Sequence, residues 1–119
     1  MSNAGQYNFC INRGAGFIHK IVWKAPNGNP INLAGYTCRM QVRSYLNSNN
    51  ILLDLTSENG KIAVTDALAG EITINVPSGE TVLLDGNSSG VYDLEVISSG
   101  NIVTRLLQGS VYISQEVTR

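Results

Sequence analysis

Two carboxylates, Asp93 and Glu95, are the first candidates for chemistry in this chain. They lie two positions apart in Tyr92-Asp93-Leu94-Glu95-Val96, and on a β-strand such a pair projects from the same face. Paired carboxylates perform glycoside hydrolysis, one as the acid and the other as base or nucleophile. Arg105 lies on the next predicted strand and is expected to reach Asp93 or Glu95. A ladder of ion pairs on a sheet surface is therefore the simpler interpretation.

A serine and a histidine suggest nucleophilic catalysis as a second chemistry. Gly86-Asn87-Ser88-Ser89-Gly90 matches the G-x-S-x-G pattern of a nucleophile elbow, but here a strand, not a helix, is expected to follow. His19, the only histidine, precedes this serine, against the residue order of that fold. Alternation places His19 on the same strand face as Phe17 and Ile21. We therefore predict a Gly/Ser-rich loop, a half-buried structural histidine and no enzymatic activity.

The two cysteines, Cys10 and Cys38, lie on separate predicted strands. In a chain without a recognisable signal peptide, a single pair of this kind favours reduced core thiols over a disulfide. Two cysteines and His19, without short ligand spacing, cannot complete a tetrahedral zinc shell. No metal and no cofactor is predicted.

Composition narrows the choice of partners. The chain has 119 residues, 8 Lys+Arg against 9 Asp+Glu, and a formal net charge of -1. This balance, without any Lys/Arg run, is not typical of proteins that bind nucleic acid or anionic membranes. No segment is long and apolar enough to predict a transmembrane helix.

The residue types predict an all-β fold. Val, Ile and Thr number 10, 11 and 7, against 7 Ala, and β-branched side chains favour strands. Glu71-Ile72-Thr73-Ile74-Asn75-Val76 alternates polar and apolar residues, as a half-buried strand does. One antiparallel β-sandwich domain is expected over residues 6–119, after a flexible or tag-like segment 1–5. The strands are predicted at 6–12, 16–24, 36–43, 51–56, 61–65, 71–76, 91–97, 101–107 and 110–117.

Two turns carry the strongest local predictions. Asn59-Gly60 is typical of a two-residue β-hairpin, because both residues accept a positive φ. Ser98-Ser99-Gly100 separates two strand-like segments and predicts a second hairpin. Residues 81–84 are compatible with either a short strand or a helical turn.

Five residues are candidates for binding a partner. Arg39 and Arg43 are four positions apart on one predicted strand, so they share a face, where they either contact a partner or keep the strand soluble. Trp23, Tyr36 and Tyr45 would form a carbohydrate platform if they were exposed together on one face. A carbohydrate-binding sandwich that recognises host-surface glycans is therefore an alternative function, and core filling is the simpler role of these rings.

Several short sequence motifs occur together along this chain. In the first half these are Gly16, Trp23-Lys24, Gly28-x-Pro30-Ile31-x-Leu33-x-Gly35-Tyr36-Thr37 and Arg39-Met40-Gln41-Val42-Arg43. In the second half they are Gly70-x-Ile72-x-Ile74-x-Val76-Pro77, Thr81, Tyr92-Asp93-Leu94-Glu95-Val96 and Arg105-Leu106-Leu107-x-Gly109-x-Val111-x-Ile113-x-x-Glu116-Val117-Thr118-Arg119.

Together these motifs resemble small structural domains of tailed phages and prophages, and the resemblance implies a fold and a function. The group is similar to the N-terminal immunoglobulin-like domain of baseplate upper proteins, which anchors receptor-binding proteins to a phage tail tip. It implies a virion structural protein of a tail, baseplate or neck, made in the bacterial host cytoplasm. Partners would be other virion proteins and further copies of this chain, with no nucleic acid and no membrane. A head decoration protein is an alternative within the same class.

Overall fold

The computed structural model describes residues 5–45, 50–86 and 88–115. Strands form most of this part of the chain, and they assemble into two sheets. One short helix, α1 (Ser78–Thr81), is followed by a helical turn, in which the Leu84 N–H donates to the Thr81 carbonyl at 3.1 Å. Of the two alternatives for residues 81–84, the structure therefore has the helical turn. The strands are β1 (Gly5–Gln6), β2 (Phe9–Asn12), β3 (Phe17–Val22), β4 (Thr37–Arg43), β5 (Ile51–Thr56), β6 (Ile62–Asp66), β7 (Glu71–Val76), β8 (Ser88–Ile97) and β9 (Val103–Ser114).

The larger sheet is built around β8 and β9. These two strands pair antiparallel, β8 also pairs with β4, and β4 pairs with β5. On the opposite side of β9, β1 and β2 run parallel to it one after the other. The order β9-β8-β4-β5 therefore continues across β9 to the N-terminal segment.

The smaller sheet contains β3, β7 and β6 in that order, and both of its pairings are antiparallel. Its central strand shows the predicted alternation: Ile72, Ile74 and Val76 are buried, and the intervening residues lie towards the outer face. Periodicity alone therefore placed this strand correctly, because only one of its faces contacts the core.

Both sheets turn their apolar face to a common core. The predicted all-β, sandwich-like arrangement of two sheets is confirmed. Each fully buried aliphatic side chain contributes roughly 1.5–3 kcal/mol relative to exposure. The largest fully buried side chains are Ile11, Leu33, Met40, Leu55, Ile62, Ile72, Ile74, Leu94 and Ile113.

The hairpin predicted at Asn59-Gly60 is wrong, because this turn crosses between the sheets. The strand before it, β5, pairs with β4 in the larger sheet, and the strand after it, β6, pairs with β7 in the smaller one. The Asn59 side chain completes the turn: Oδ1 accepts hydrogen bonds from the backbone N–H of Thr56 (3.0 Å) and Lys61 (3.1 Å), and Nδ2 donates to the Asp54 carbonyl (2.9 Å). The Asn59 side chain therefore satisfies backbone N–H and C=O groups of the turn, although the two flanking strands do not pair with each other.

The predicted break between residues 107 and 110 is also wrong, since β9 continues through Gly109. Glycine is required here because the N-terminal segment passes close to β9, and a Cβ at Gly109 would overlap the Tyr7 carbonyl oxygen. The same crossing divides the predicted strand 6–12 into β1 and β2. At the division, Asn8 Oδ1 accepts a hydrogen bond from the Ser110 N–H at 3.1 Å.

The second predicted hairpin is confirmed. Ile97 and Val103 are partners at the end of the β8–β9 ladder, and the Ser98 N–H donates to the Ile102 carbonyl at 3.0 Å. Asn101 adopts a φ of 65°, a conformation that asparagine tolerates better than most residues.

Some of the predicted boundaries fall outside the described residues. Of the predicted N-terminal segment 1–5, residues 1–4 lie outside them, and Gly5 belongs to β1, where it pairs with Leu107. Residues 116–119, at the end of the predicted last strand and domain, also lie outside the described part, as do 46–49 and Asn87.

The close approach at Gly109 predicts a selective cost for a single methyl group. Gly109→Ala is expected to lower the free energy of unfolding by about 2 kcal/mol, because the Tyr7 backbone must shift. Gly79→Ala is the matched control: a Cβ there meets nothing within 4 Å, so the change should be neutral or stabilising by up to about 1 kcal/mol. Urea unfolding of both variants measures the difference, and equal stabilities would contradict the interpretation.

Candidate interaction surface

The outer face of the larger sheet carries an open groove of about 700 Å³. Alternate residues of β4, β8 and β9 point away from the core, and most of the outward residues that line the groove are charged or carry amides. We call this surface the charged groove. Its lining residues are Gln6, Arg39, Gln41, Arg43, Val91, Tyr92, Asp93, Glu95, Arg105, Gln108 and Gly109.

The strongest contact in the charged groove joins β4 to β8. Arg39 and Glu95 are directly opposite in the antiparallel ladder, and Arg39 Nε donates to Glu95 Oε1 at 2.7 Å. The Glu95 side chain is 21% exposed and the Arg39 side chain 54%. A pair this exposed to water contributes up to about 1 kcal/mol to stability, so it orders the surface more than it stabilises the fold.

A second ion pair joins β9 to β8 and resolves which carboxylate Arg105 contacts. Arg105 lies directly opposite Glu95, yet its Nε is 3.4 Å from Asp93 Oδ2. The register shift between Leu94 and Glu95 moves the two strands relative to each other at this point. The predicted ladder of ion pairs on the sheet surface is therefore present, with Glu95 bound to Arg39 and Asp93 bound to Arg105.

The remaining polar side chains extend this network across β4 to β5. Arg43 Nη2 donates to Gln41 Oε1 at 2.8 Å, and Gln41 Nε2 lies 3.4 Å from Asp54 Oδ1. Arg39 and Arg43 thus share the outer face, as their spacing predicted. Contacts among neighbours thus restrict the conformations of these flexible side chains.

The charged and amide side chains of the charged groove are of the kinds that recognise polar groups on another surface. Both lining carboxylates contact guanidinium groups, Glu95 that of Arg39 and Asp93 that of Arg105. Histidine, serine, cysteine and lysine do not occur among the described residues that line it. Arginine and carboxylate forks make directional hydrogen bonds to polar groups on another surface, and arginine is enriched at protein interfaces.

The structure separates the three predicted aromatic residues. Trp23 and Tyr36 are half-buried against the core, with ring centroids 6.3 Å apart in an edge-to-face arrangement. Tyr45 is 65% exposed and follows the other end of β4. Tyr36 precedes that seven-residue strand, so its length, about 23 Å at ~3.3 Å per residue, lies between them. These rings do not share one platform.

An aromatic cluster that sequence reasoning missed surrounds His19. Phe9 lies edge-on to His19 with centroids 4.9 Å apart, Phe17 is stacked at 6.3 Å, and Tyr7 is 5.3 Å away. His19 is half-buried, as predicted, and this cluster joins β3 of the smaller sheet to the N-terminal segment of the larger one. Alternation within β3 placed Phe17 and His19 on one face, but it could not reveal Tyr7 and Phe9, which lie on a segment that belongs to the other sheet.

Two buried groups have raised pKa values. Burial raises the pKa of the Cys38 thiol to about 11, and a hydrogen bond with Ser57 opposes this shift. Burial also raises the pKa of the Tyr92 phenol to about 12, with nearby Tyr7 adding to it. The Tyr92 hydroxyl donates a hydrogen bond to the Tyr7 carbonyl at 2.7 Å, and only the protonated phenol can make this bond.

The cysteines are both free, and only one lies in the core. Cys38 is buried as predicted, but the prediction for Cys10 is wrong, since Cys10 is exposed on the outer face of β2. Cys10 points outward because side chains alternate along a strand, and Phe9 and Ile11 take the two inward positions of this four-residue strand. Strands β9 and β8 separate β2 from β4, which puts the two thiols beyond disulfide reach.

Within residues 5–45, 50–86 and 88–115, no three His, Cys, Asp or Glu side chains cluster as metal ligands would. None of the helices in the same residues has the length and hydropathy needed to cross a bilayer. Comparison with known proteins gives no matching family model and no matching curated protein.

The raised pKa values predict a loss of stability in alkali. Both groups hold their proton more tightly when folded, so the stability they contribute is complete below pH 9 and is lost as pH rises through about 11 and 12. Denaturant unfolding should show the free energy of unfolding falling by at least about 2 kcal/mol between pH 8.5 and 11.5.

Two variants test the cause of this alkaline fall. The double variant Cys38→Ala/Tyr92→Phe should start less stable and show a much flatter pH dependence. Tyr45→Phe is the control, because this ring is 65% exposed, and it should keep the full fall. An unchanged slope in the double variant would assign the effect to other groups.

Proposed function

We propose that this protein is a non-catalytic structural component of a tailed phage or prophage virion, in the tail, baseplate or neck, and attaches through protein-protein contacts. Two arguments support this proposal. The chain resembles such domains over nearly its whole length, and its outer surface carries the charged groove. Other virion proteins and further copies of the chain are the proposed partners, and the virion is the proposed location.

The charged groove is the observation that carries the proposal. Its side chains project from paired strands, so a partner would meet groups already held in place, which lowers the entropic cost of association. Three arginines and two carboxylates in one groove offer both signs of charge, which favours a protein partner over a nucleic acid. The net charge of -1 agrees with this choice.

We also assign the sandwich to the immunoglobulin-like class, and the strand order supports this assignment. The orders β9-β8-β4-β5 and β3-β7-β6 correspond to the G-F-C-C′ and B-E-D orders of immunoglobulin sheets. Two hallmarks of antibody domains differ here. The cysteines lie on β2 and β4 instead of on strands B and F, and Trp23 follows β3 instead of lying on strand C, which corresponds to β4. The assignment therefore concerns topology alone.

The test of the function is the mass of the protein in solution by light scattering, first alone and then mixed with neighbouring tail, baseplate or neck proteins of the same phage. An oligomer or a stable complex with a virion protein is the expected result. A monomer that binds none of them would contradict the proposed function.

A variant of the charged groove locates the interface. Arg39→Ala removes the guanidinium group that pairs with Glu95. It should weaken the complex with the virion protein at least tenfold, which corresponds to about 1.4 kcal/mol. Lys24→Ala is the control, since Lys24 is an exposed cation in the loop after β3. Isothermal titration calorimetry of each variant with the virion protein gives the two affinities. Equal melting temperatures of the two variants show that both are folded. Equal affinities would place the interface elsewhere.

A further inference from the structure

The two sheets of this fold differ in how their edges are protected. An uncovered edge strand presents backbone N–H and C=O groups to other chains, and proteins protect such edges with short strands, bulges or capping groups. In the larger sheet, Asn59 caps the β5 edge by binding the Thr56 N–H and the Asp54 carbonyl. The opposite edge consists of two short strands, β1 and β2.

The smaller sheet has one protected and one regular edge. β6 is irregular between Val64 and Asp66, whereas β3 pairs with β7 in unbroken register from Phe17 to Val22. Within the part of the chain that the structure describes, no strand pairs with the other side of β3. β3 is therefore the longest uninterrupted open edge in these residues.

Hydrogen-bond alternation identifies which groups of β3 face outward. The Trp23 N–H donates to the Gly70 carbonyl at 2.9 Å, so this position faces β7, and in an antiparallel ladder alternate residues face the other way. On the far side of β7, the Asn75 N–H donates to the Lys61 carbonyl at 2.8 Å, which agrees with this phase. The main-chain groups of Ile18, Lys20 and Val22 therefore face away from β7.

The side chains of these three residues define what the open edge would recognise. Ile18 is 66% exposed and Val22 is 49% exposed, while the alternate residues of β3 face the core. Lys20 lies between them, its Nζ 3.9 Å from Glu71 Oε1 and its side chain 66% exposed. The edge thus presents an apolar, a cationic and an apolar side chain in sequence.

We propose that β3 accepts an extended segment of a partner protein as a fourth strand of the smaller sheet. The segment carries an acidic residue opposite Lys20 and apolar residues opposite Ile18 and Val22, because such cross-strand pairs stabilise a sheet. This inference rests on the proposed function in one respect, namely that the partner is another protein. It concerns a different sheet from the charged groove.

A second copy of β3 is a poorer occupant than an acidic segment. Antiparallel self-pairing that uses all three outward residues puts Lys20 directly opposite the same lysine of the other copy, and like charges in that position are destabilising. Registers shifted along the strand leave one of the three outward residues without its equivalent. Lys20 therefore selects against self-association and for a partner of opposite charge.

The test uses two blocked peptides, Thr-Val-Thr-Glu-Thr-Val-Thr and the same peptide with Lys in place of Glu. Both are palindromic, so they fit β3 in either direction. Each is titrated into the full chain while amide hydrogen exchange is followed by NMR. The Glu peptide should slow exchange at Ile18, Lys20 and Val22 at least tenfold and bind at least fivefold more tightly than the Lys peptide.

Two variants sharpen this test. Lys20→Glu should reverse the peptide preference, and Lys24→Glu, which changes the charge of a lysine beyond the edge strand, should leave the preference unchanged. Ile18→Pro removes an outward N–H that edge strands can lose, so it should abolish peptide protection while circular dichroism stays the same. Absence of protection at millimolar peptide, or equal binding of both peptides, would overturn the proposal.

The outcome separates this inference from the proposed function. If a virion protein binds the chain and exchange at β3 stays unchanged, the function stands and the inference fails. If the Glu peptide protects β3 and every virion protein is ignored, the open edge stands and the function fails. Protection at β3 that rises with the concentration of this chain alone would replace the partner segment with a second copy.

Discussion

The position of β8 between β4 and β9 is the constraint on which the rest of this structure depends. All ten of its residues pair with β9 and seven of them, Val91–Ile97, also pair with β4, so its register with two neighbours decides which side chains enter the core. Leu94 and Val96 point inward, and Asp93 and Glu95 point outward into the charged groove. A slip of one residue would exchange these sets, because side chains alternate between faces. Core and surface are thus two results of the same register.

The N-terminal segment depends on one close approach between distant parts of the chain. Tyr7 lies over Gly109, and its carbonyl accepts the hydrogen bond from the buried Tyr92 hydroxyl. This contact explains two observations at once: the division into β1 and β2 and the glycine within β9. It also places Phe9 beside His19, so it connects the two sheets through the aromatic cluster.

The two proposed binding surfaces differ in the groups that they offer. The charged groove offers side chains, held by ion pairs that water already screens, and therefore favours recognition by charge and geometry. The edge of β3 offers backbone groups, with Ile18, Lys20 and Val22 setting selectivity. Because they lie on different sheets, both surfaces can be occupied at the same time, as the proposed attachment function with more than one neighbour would require.

The sequence by itself determined the local features of this protein. β-branched residues and alternation identified β7, the hairpin at Ser98–Gly100, and the shared face of Arg39 and Arg43. These features depend on neighbours a few residues away, so a period of two is sufficient to predict them. The all-β fold follows from the same evidence.

Only the tertiary structure decided which strands meet. Asn59-Gly60 has the composition of a hairpin, yet it joins two sheets, because pairing β5 with β4 and β6 with β7 buries both strands against a common core. The choice of Asp93 as the partner of Arg105 depends on a register shift that no composition reveals. Trp23 and Tyr45 are likewise separated by the packing of whole strands. Such contacts join residues far apart in sequence, and their geometry is fixed by burial of the entire sheet rather than by any local pattern.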